Sequence, residues 1–144
     1  MERDSALMFT CSLIEYIGRE RKLKRAEVVR ALGDETIRRI YRHADVLHSE
    51  PIEHVASEYI ELASIPSGSF DNVGTCLYET PDYWTIGEAC ERLIEDVSEG
   101  DHVGGIAKVY LSWMDDAISD YNSDLFFQPR DYLRESFLAG KAVD

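Results

Sequence analysis

Apolar residues recur along this chain at intervals of three and four rather than two, the spacing that turns one face of an α-helix toward a core. Leu7, Cys11, Ile14 and Ile17 form the first such stripe, widened by Phe9, Leu13 and Tyr16, with Asp4 as its N-cap and Gly18 and a charged run after it. A second, short helix is predicted over residues 23 to 32, and Gly33 is expected to close it in the left-handed conformation. Asp34 is then placed to cap a third helix from Glu35 to His48, with Ile37, Ile40, Tyr41, Ala44 and Leu47 facing inward. Pro51 suits the first turn of a fourth, whose apolar positions are Ile52, Val55, Ala56, Tyr59 and Ile60.

The stretch SIPSGSFDNVG, residues 64 to 74, gathers turn-forming residues and is the longest irregular segment. It marks a boundary between halves 1–64 and 75–144 of what is expected to be a single domain spanning residues 1 to 144. TCLYE has the make-up of a short extended piece, without a partner strand. Pro81 is expected to open a fifth helix carrying Tyr83, Ile86, Cys90, Leu93, Ile94 and Val97, and Asp101 to cap a sixth with Ile106, Val109, Tyr110, Trp113, Ala117 and Tyr121 on one face. NSDLFFQP interrupts that pattern, and a last short helix over residues 131 to 138 precedes a tail expected to fray. The whole reads as an all-α, single-domain bundle of six or seven helices.

Composition supports this and narrows the function. A chain of 144 residues buries about 70% of its unfolded surface on folding, enough for a core without staples. No apolar run reaches membrane-span length and the first residues lack the pattern of a signal peptide, so a cytoplasmic location is expected. Cys11 and Cys90 fall on apolar stripes and, with Cys76 far from both, read as reduced thiols. The net charge of −13 argues against nucleic acid, whose phosphates need clustered Lys and Arg. That charge is unevenly laid out: residues 1 to 48 hold ten Lys or Arg against eight Asp or Glu, whereas residues 49 to 144 hold five against twenty. Such a polarised chain can self-associate head to tail or present its acidic face to a protein partner with a basic surface, while a solvated acidic surface that aids solubility is the plainer reading.

Three segments invite a search for chemistry. HADVLHSEPIEH, residues 43 to 54, packs three histidines and an aspartate together, but successive helical residues turn by about 100°, so His43 faces away from both Asp45 and His48. Only Asp45 and His48 share a face, where an Asp–His pair at a helix C-terminus is the expected arrangement, and no metal set is assigned. RERKLKR, residues 19 to 25, precedes a pattern that superficially matches a helix-turn-helix around Gly33, yet the anchor positions of its second helix are Arg39 and Arg42. The basic run is therefore read as a solvated connector. Asp116, Asp120 and Asp124 stand four apart beside Asp115, an arrangement that favours an incoming cation or a partner's Arg, and Phe126 and Phe127 sit in a polar break where two adjacent rings cannot both point inward. No nucleophile elbow, phosphate loop or calcium loop occurs, so no catalytic residue and no cofactor is assigned.

Phe9, the run Cys11, Ile14, Glu15 and Tyr16, the pair Val28 and Val29, and the group Tyr41, Ala44 to Leu47 and His48 give residues 9 to 62 a pattern that resembles a short, uncharacterised bacterial domain. The later segments FDNVGTCLYETPDYWTIGEACERLI and DDAISDYNSD look like those of a longer cousin of that domain. The resemblance implies a small accessory protein of toxin neighbourhoods with a binding or neutralising role, and carries over no catalytic residues. Two readings follow. One is a non-enzymatic interaction module that engages a basic partner through Asp116, Asp120, Phe126 and Phe127. The other is a small hydrolase or transferase with a polar site at Glu15, Asp45 and His48, with or without a divalent ion.

Overall fold

The computed structural model describes residues 4 to 143 and is all-helical. The signal-peptide reading rests partly on Met1 to Arg3, which lie outside the described residues, as does Asp144 at the end of the tail. The helices are α1 (Ser5–Arg21), α2 (Arg25–Arg42), α3 (Ala44–Leu47), α4 (Ile52–Leu62), α5 (Tyr83–Val97), α6 (His102–Tyr110), α7 (Trp113–Ile118) and α8 (Arg130–Ala139), with a 3₁₀ turn over Leu125–Phe127. No helix among the described residues is long and apolar enough to cross a membrane.

α1 is the axis of the bundle. It packs most extensively on α5 and also meets α2, α3, α4 and α6. Its buried residues Leu7, Phe9, Cys11, Leu13, Ile14 and Ile17 point in every direction around the helix, and Thr10, Ser12, Glu15 and Gly18 are buried as well. A one-sided stripe was expected; a helix enclosed by neighbours on all sides loses its polar face instead. One apolar cluster runs from Leu7 to Leu133, so both halves of the chain contribute to the same core. Gly87 on α5 makes the α1–α5 approach close: a Cβ there would stand 2.9 Å from the Cα of Ser12.

Several expected boundaries shift for local reasons. Asp4, Asp82 and Asp101 cap α1, α5 and α6 through bonds from the backbone N–H of Leu7, Thr85 and Gly104. The fifth helix thus starts at Tyr83, behind the Asp82 cap, and not at Pro81. Gly33 does break its helix, but with φ 81° and ψ 158° rather than the left-handed pair, and α2 resumes beyond it. Asp34 does not cap the resumed stretch; it accepts from Arg38 Nε at 2.8 Å. The third predicted helix divides at His43, giving α3, and the sixth divides at Ser112, whose hydroxyl accepts from Met114 N–H and starts α7. These divisions raise the helix count above the six or seven expected. TCLYE is irregular rather than extended. The tail is tied back as far as Val143, whose N–H reaches Ser136 Oγ at 3.2 Å.

Candidate functional site

The most heavily charged part of the interior is built by three polar residues on apolar stripes. Glu15 follows Cys11 by four on α1, Arg25 precedes Val28 and Val29 by three and four on α2, and Asp115 precedes Ile118 by three on α7. Helical geometry therefore drives all three inward, and each is almost wholly buried, Arg25 at 2% exposure. Arg25 donates from Nε to Asp115 Oδ1 at 2.8 Å, from Nη1 to Glu15 Oε1 at 3.0 Å and from Nη2 to Ser119 Oγ at 2.6 Å. Glu15 Oε2 also accepts from Tyr121 Oη at 2.6 Å and from Arg19 Nε at 2.5 Å, and Arg19 continues to the Pro81 carbonyl at 2.6 Å. Two cations and two carboxylates thus lock α1, α2, α7 and the segment before α5 together.

The environment sets the protonation of this interior. Burial pushes the Asp115 carboxyl up to about 6, against the pull of Arg25 and with the help of the Glu15 charge. Burial opposes the charge on Arg25, but the carboxylates of Asp115 and Glu15 outweigh it and hold the guanidinium well above its ordinary range. Cys90 is pushed up to about 12 and Cys11 well above the usual thiol range, both chiefly by burial, so neither supplies a thiolate at neutral pH. The core thiols are free and buried, as expected, while Cys76 is half-buried. With its donors and acceptors turned on one another, the ion network positions helices.

RERKLKR is more than a solvated connector. Besides Arg25 and Arg19, Arg21 donates to the Ile65 carbonyl at 3.2 Å, the Gly68 N–H reaches the Arg21 carbonyl at 2.7 Å, and the Lys22 carbonyl accepts from Phe70 N–H at 2.9 Å. The run moulds residues 65 to 72 onto the turn between α1 and α2. Asn72 Nδ2 then reaches the Ser119 carbonyl at 2.9 Å, and Asn122 bonds to Leu77 N–H at 2.7 Å and to the Thr75 carbonyl at 3.2 Å, so the irregular stretch is pinned along the α7 end of the molecule.

That pinning creates a surface. A hollow of about 380 Å³ is lined by Lys24, Phe70, Asn72, Asp116, Asp120 and Tyr121 among others. Tyr121 and Asn122 are shared with a neighbouring hollow of about 610 Å³ lined also by Tyr78, Glu79, Asp124, Phe126 and Phe127. Asp116, Asp120, Phe126 and Phe127 are therefore brought onto one continuous stretch of surface. Asp116 stands 3.8 Å from Lys24 Nζ, and Phe126 packs edge-on between Tyr121 and Phe127 with centroids 5.7 and 5.0 Å away. Phe127 is 64% exposed, Tyr78 71% and Leu77 80%.

Of the alternative set, Asp45 and His48 line one hollow with Ser5, Ala6 and Ala44, and Glu15 stands apart from them. Glu15 shares no hydrogen bond or ion pair with Asp45 or His48 among the described residues, its acceptors being taken by Arg19, Arg25 and Tyr121. No ion pair joins Asp45 to His48 among those residues either; the His48 ring lies between Phe9 and Trp84, 5.3 Å from each centroid, while Asp45 is exposed. Arg25 and Ser119 were missed in the sequence, though the register given above places Arg25 beside Val28 and Val29. His54, weighed in the sequence only beside His43, Asp45 and His48, pairs elsewhere: its Nε2 stands 3.5 Å from Glu50 Oε1 and 3.0 Å from Glu58 Oε1, a consequence of the spacing Glu-x-x-x-His-x-x-x-Glu. Comparison with known protein families, with curated proteins and with solved structures finds no match for this chain.

Proposed function

We propose that this protein is a non-enzymatic interaction module that holds a basic segment of a partner protein against the surface formed by Leu77, Tyr78, Phe126 and Phe127 and the carboxylates beside them. The observation that carries this reading is the exposure of Phe127 together with Tyr78 on a single hollow whose rim includes Glu79 and Asp124. Exposed aromatic rings that line one hollow are the usual anchors of binding energy, and an acidic rim selects a partner of opposite charge. A basic segment with an aromatic or aliphatic anchor fits both components: its anchor enters between Tyr78 and Phe127 while its Lys or Arg side chains meet Glu79, Asp120 and Asp124.

The test is capture from nuclease-treated host lysate by the wild-type protein and by a Tyr78→Ser, Phe127→Ser variant, each washed at low and high salt. Both positions are exposed, so the variant is expected to keep the wild-type circular dichroism and melting curve. A stoichiometric partner held by the wild type, weakened by salt and lost with the variant supports the proposal. A partner retained equally by both proteins, or none at all, contradicts it.

A further inference from the structure

α4 begins with Pro51 at its N-cap, which fixes the chain at φ −58° and leaves Glu50 immediately ahead of the first turn. Glu50, His54 and Glu58 then follow one another at single helical turns, and one donor atom from each lies within 4.8 Å of the others. His54 Nε2 is the centre of the group, 3.5 Å from Glu50 Oε1 and 3.0 Å from Glu58 Oε1. Donors bound at about 2.1 Å stand roughly 3.0 to 3.4 Å apart at adjacent corners of an octahedron or tetrahedron, so the imidazole and each carboxylate already have the separation that shared coordination requires.

We propose that Glu50, His54 and Glu58 form a divalent transition-metal site, with Zn²⁺ as the ion that best suits it. One imidazole nitrogen with two carboxylate oxygens is a borderline donor set that favours Zn²⁺ over Mg²⁺ or Ca²⁺, which call for oxygen ligands alone. The electrostatics agree: the helix Ile52–Leu62 contains Glu53, Glu58 and Glu61 and neither Lys nor Arg, so no cation on this helix competes for the carboxylates. His54 and Glu58 are exposed and Glu50 half-buried, which leaves the remaining coordination positions to water or to a donor from another molecule. Coordination takes up the imidazole through a ring nitrogen, so the ion replaces the contacts that His54 makes with the two carboxylates.

The experiment is calorimetric titration of Zn²⁺ into the full chain, purified without a metal-affinity tag and dialysed free of chelator, beside His54→Ala and Cys76→Ser variants. The expected result is one ion per chain for the wild type and for Cys76→Ser, at least tenfold weaker binding for His54→Ala, and a Zn²⁺-dependent rise in melting temperature present in the first two and absent from the third. His54 is exposed, and a metal-free His54→Ala protein with the wild-type melting temperature confirms that its fold is intact. Binding that is unchanged in His54→Ala, that disappears in Cys76→Ser, or that shows no single stoichiometric site overturns the proposal.

Discussion

Arg25 and Asp115, ninety residues apart in the chain, meet through a 2.8 Å hydrogen bond in a region sealed from water, and Glu15 receives the other arm of the same guanidinium at 3.0 Å. One cation thus neutralises carboxylates from the first and the seventh helix. Its removal leaves Asp115 with an uncompensated buried charge while Glu15 keeps Arg19 and Tyr121. Arg25→Met is expected to lower unfolding free energy by about 3 to 5 kcal/mol. Adding Asp115→Asn to that variant is expected to restore a substantial part of the loss, because the orphaned charge goes with it. Denaturant unfolding of the two single variants and the double reads the coupling directly, and strict additivity would contradict the pairing.

Asp115 also gives stability a dependence on pH with a definite sign. Its carboxyl titrates at about 6 in the folded chain against the ordinary 3.8, so between those values the folded state holds a proton that the unfolded state has released. Stability from this group is therefore greatest at the acid end, declines as pH rises from about 4 to 6 and is constant above. Two pH units correspond to an upper limit of about 3 kcal/mol. The checking measurement is the difference in unfolding free energy between wild type and Asp115→Asn across pH 4 to 7. It should change in favour of the variant as pH rises, and a flat difference contradicts the shift.

Two glycines carry different kinds of constraint, which two alanine substitutions separate. At Gly87 a Cβ would press on the Ser12 backbone across the α1–α5 contact, so Gly87→Ala forces two helices apart and is expected to cost about 1 to 3 kcal/mol or more. At Gly33 a Cβ meets nothing within 4 Å, and the cost, also about 1 to 3 kcal/mol, comes from φ 81° and ψ 158°, a region that side chains exclude. Ser12→Ala gives a further contrast. The Ser12 hydroxyl is buried and has no hydrogen-bond partner among the described residues, so its removal is expected to be neutral or to stabilise by up to about 1 kcal/mol. Thermal melts of the three variants should fall in that order of sign.

The helices were legible because apolar spacing is a local signal, and Asp4 and Asp101 announce their starts in the same way. The divisions at His43 and Ser112 were not, since apolar periodicity continues across both and the breaks go with tertiary packing, α3 against α1 and α2 and α7 against α6 and the 3₁₀ turn. The proposed interaction residues Asp116, Asp120, Phe126 and Phe127 could be picked out by their spacing and their polar context. Their union with Tyr78 and Leu77 depends on Asn72 and Asn122 pinning a distant loop, which no local pattern encodes. Arg25 was hidden for another reason: within RERKLKR it reads as one more solvated cation, and only its register with Val28, Val29 and Leu32 separates it from its neighbours.

Asp4 does three jobs at once, and its substitution tests whether they reinforce one another. Its Oδ1 accepts from Leu7 N–H at 3.0 Å to cap α1, while Oδ2 accepts from Tyr41 Oη at 2.6 Å and meets His102 Nδ1 at 2.6 Å, joining α1 to α2 and α6. Burial alone would raise the Asp4 carboxyl, but hydrogen bonds from Tyr41, His102 and Leu7 hold it below the usual value, and Tyr41 in turn is pushed up to about 12. A carboxyl lowered in this way contributes stability above its unfolded pKa and loses it as pH falls through the folded one, the reverse of Asp115. Loss of a cap alone costs about 1 kcal/mol, so Asp4→Ala is expected to exceed that, at about 2 to 4 kcal/mol with the charge-assisted bonds included. Tyr41→Phe is expected to cost about 1 to 2 kcal/mol in the wild type and much less in the Asp4→Ala background. If Tyr41→Phe costs the same in both, the tyrosine hydroxyl and the aspartate act independently and the three-helix junction is not cooperative.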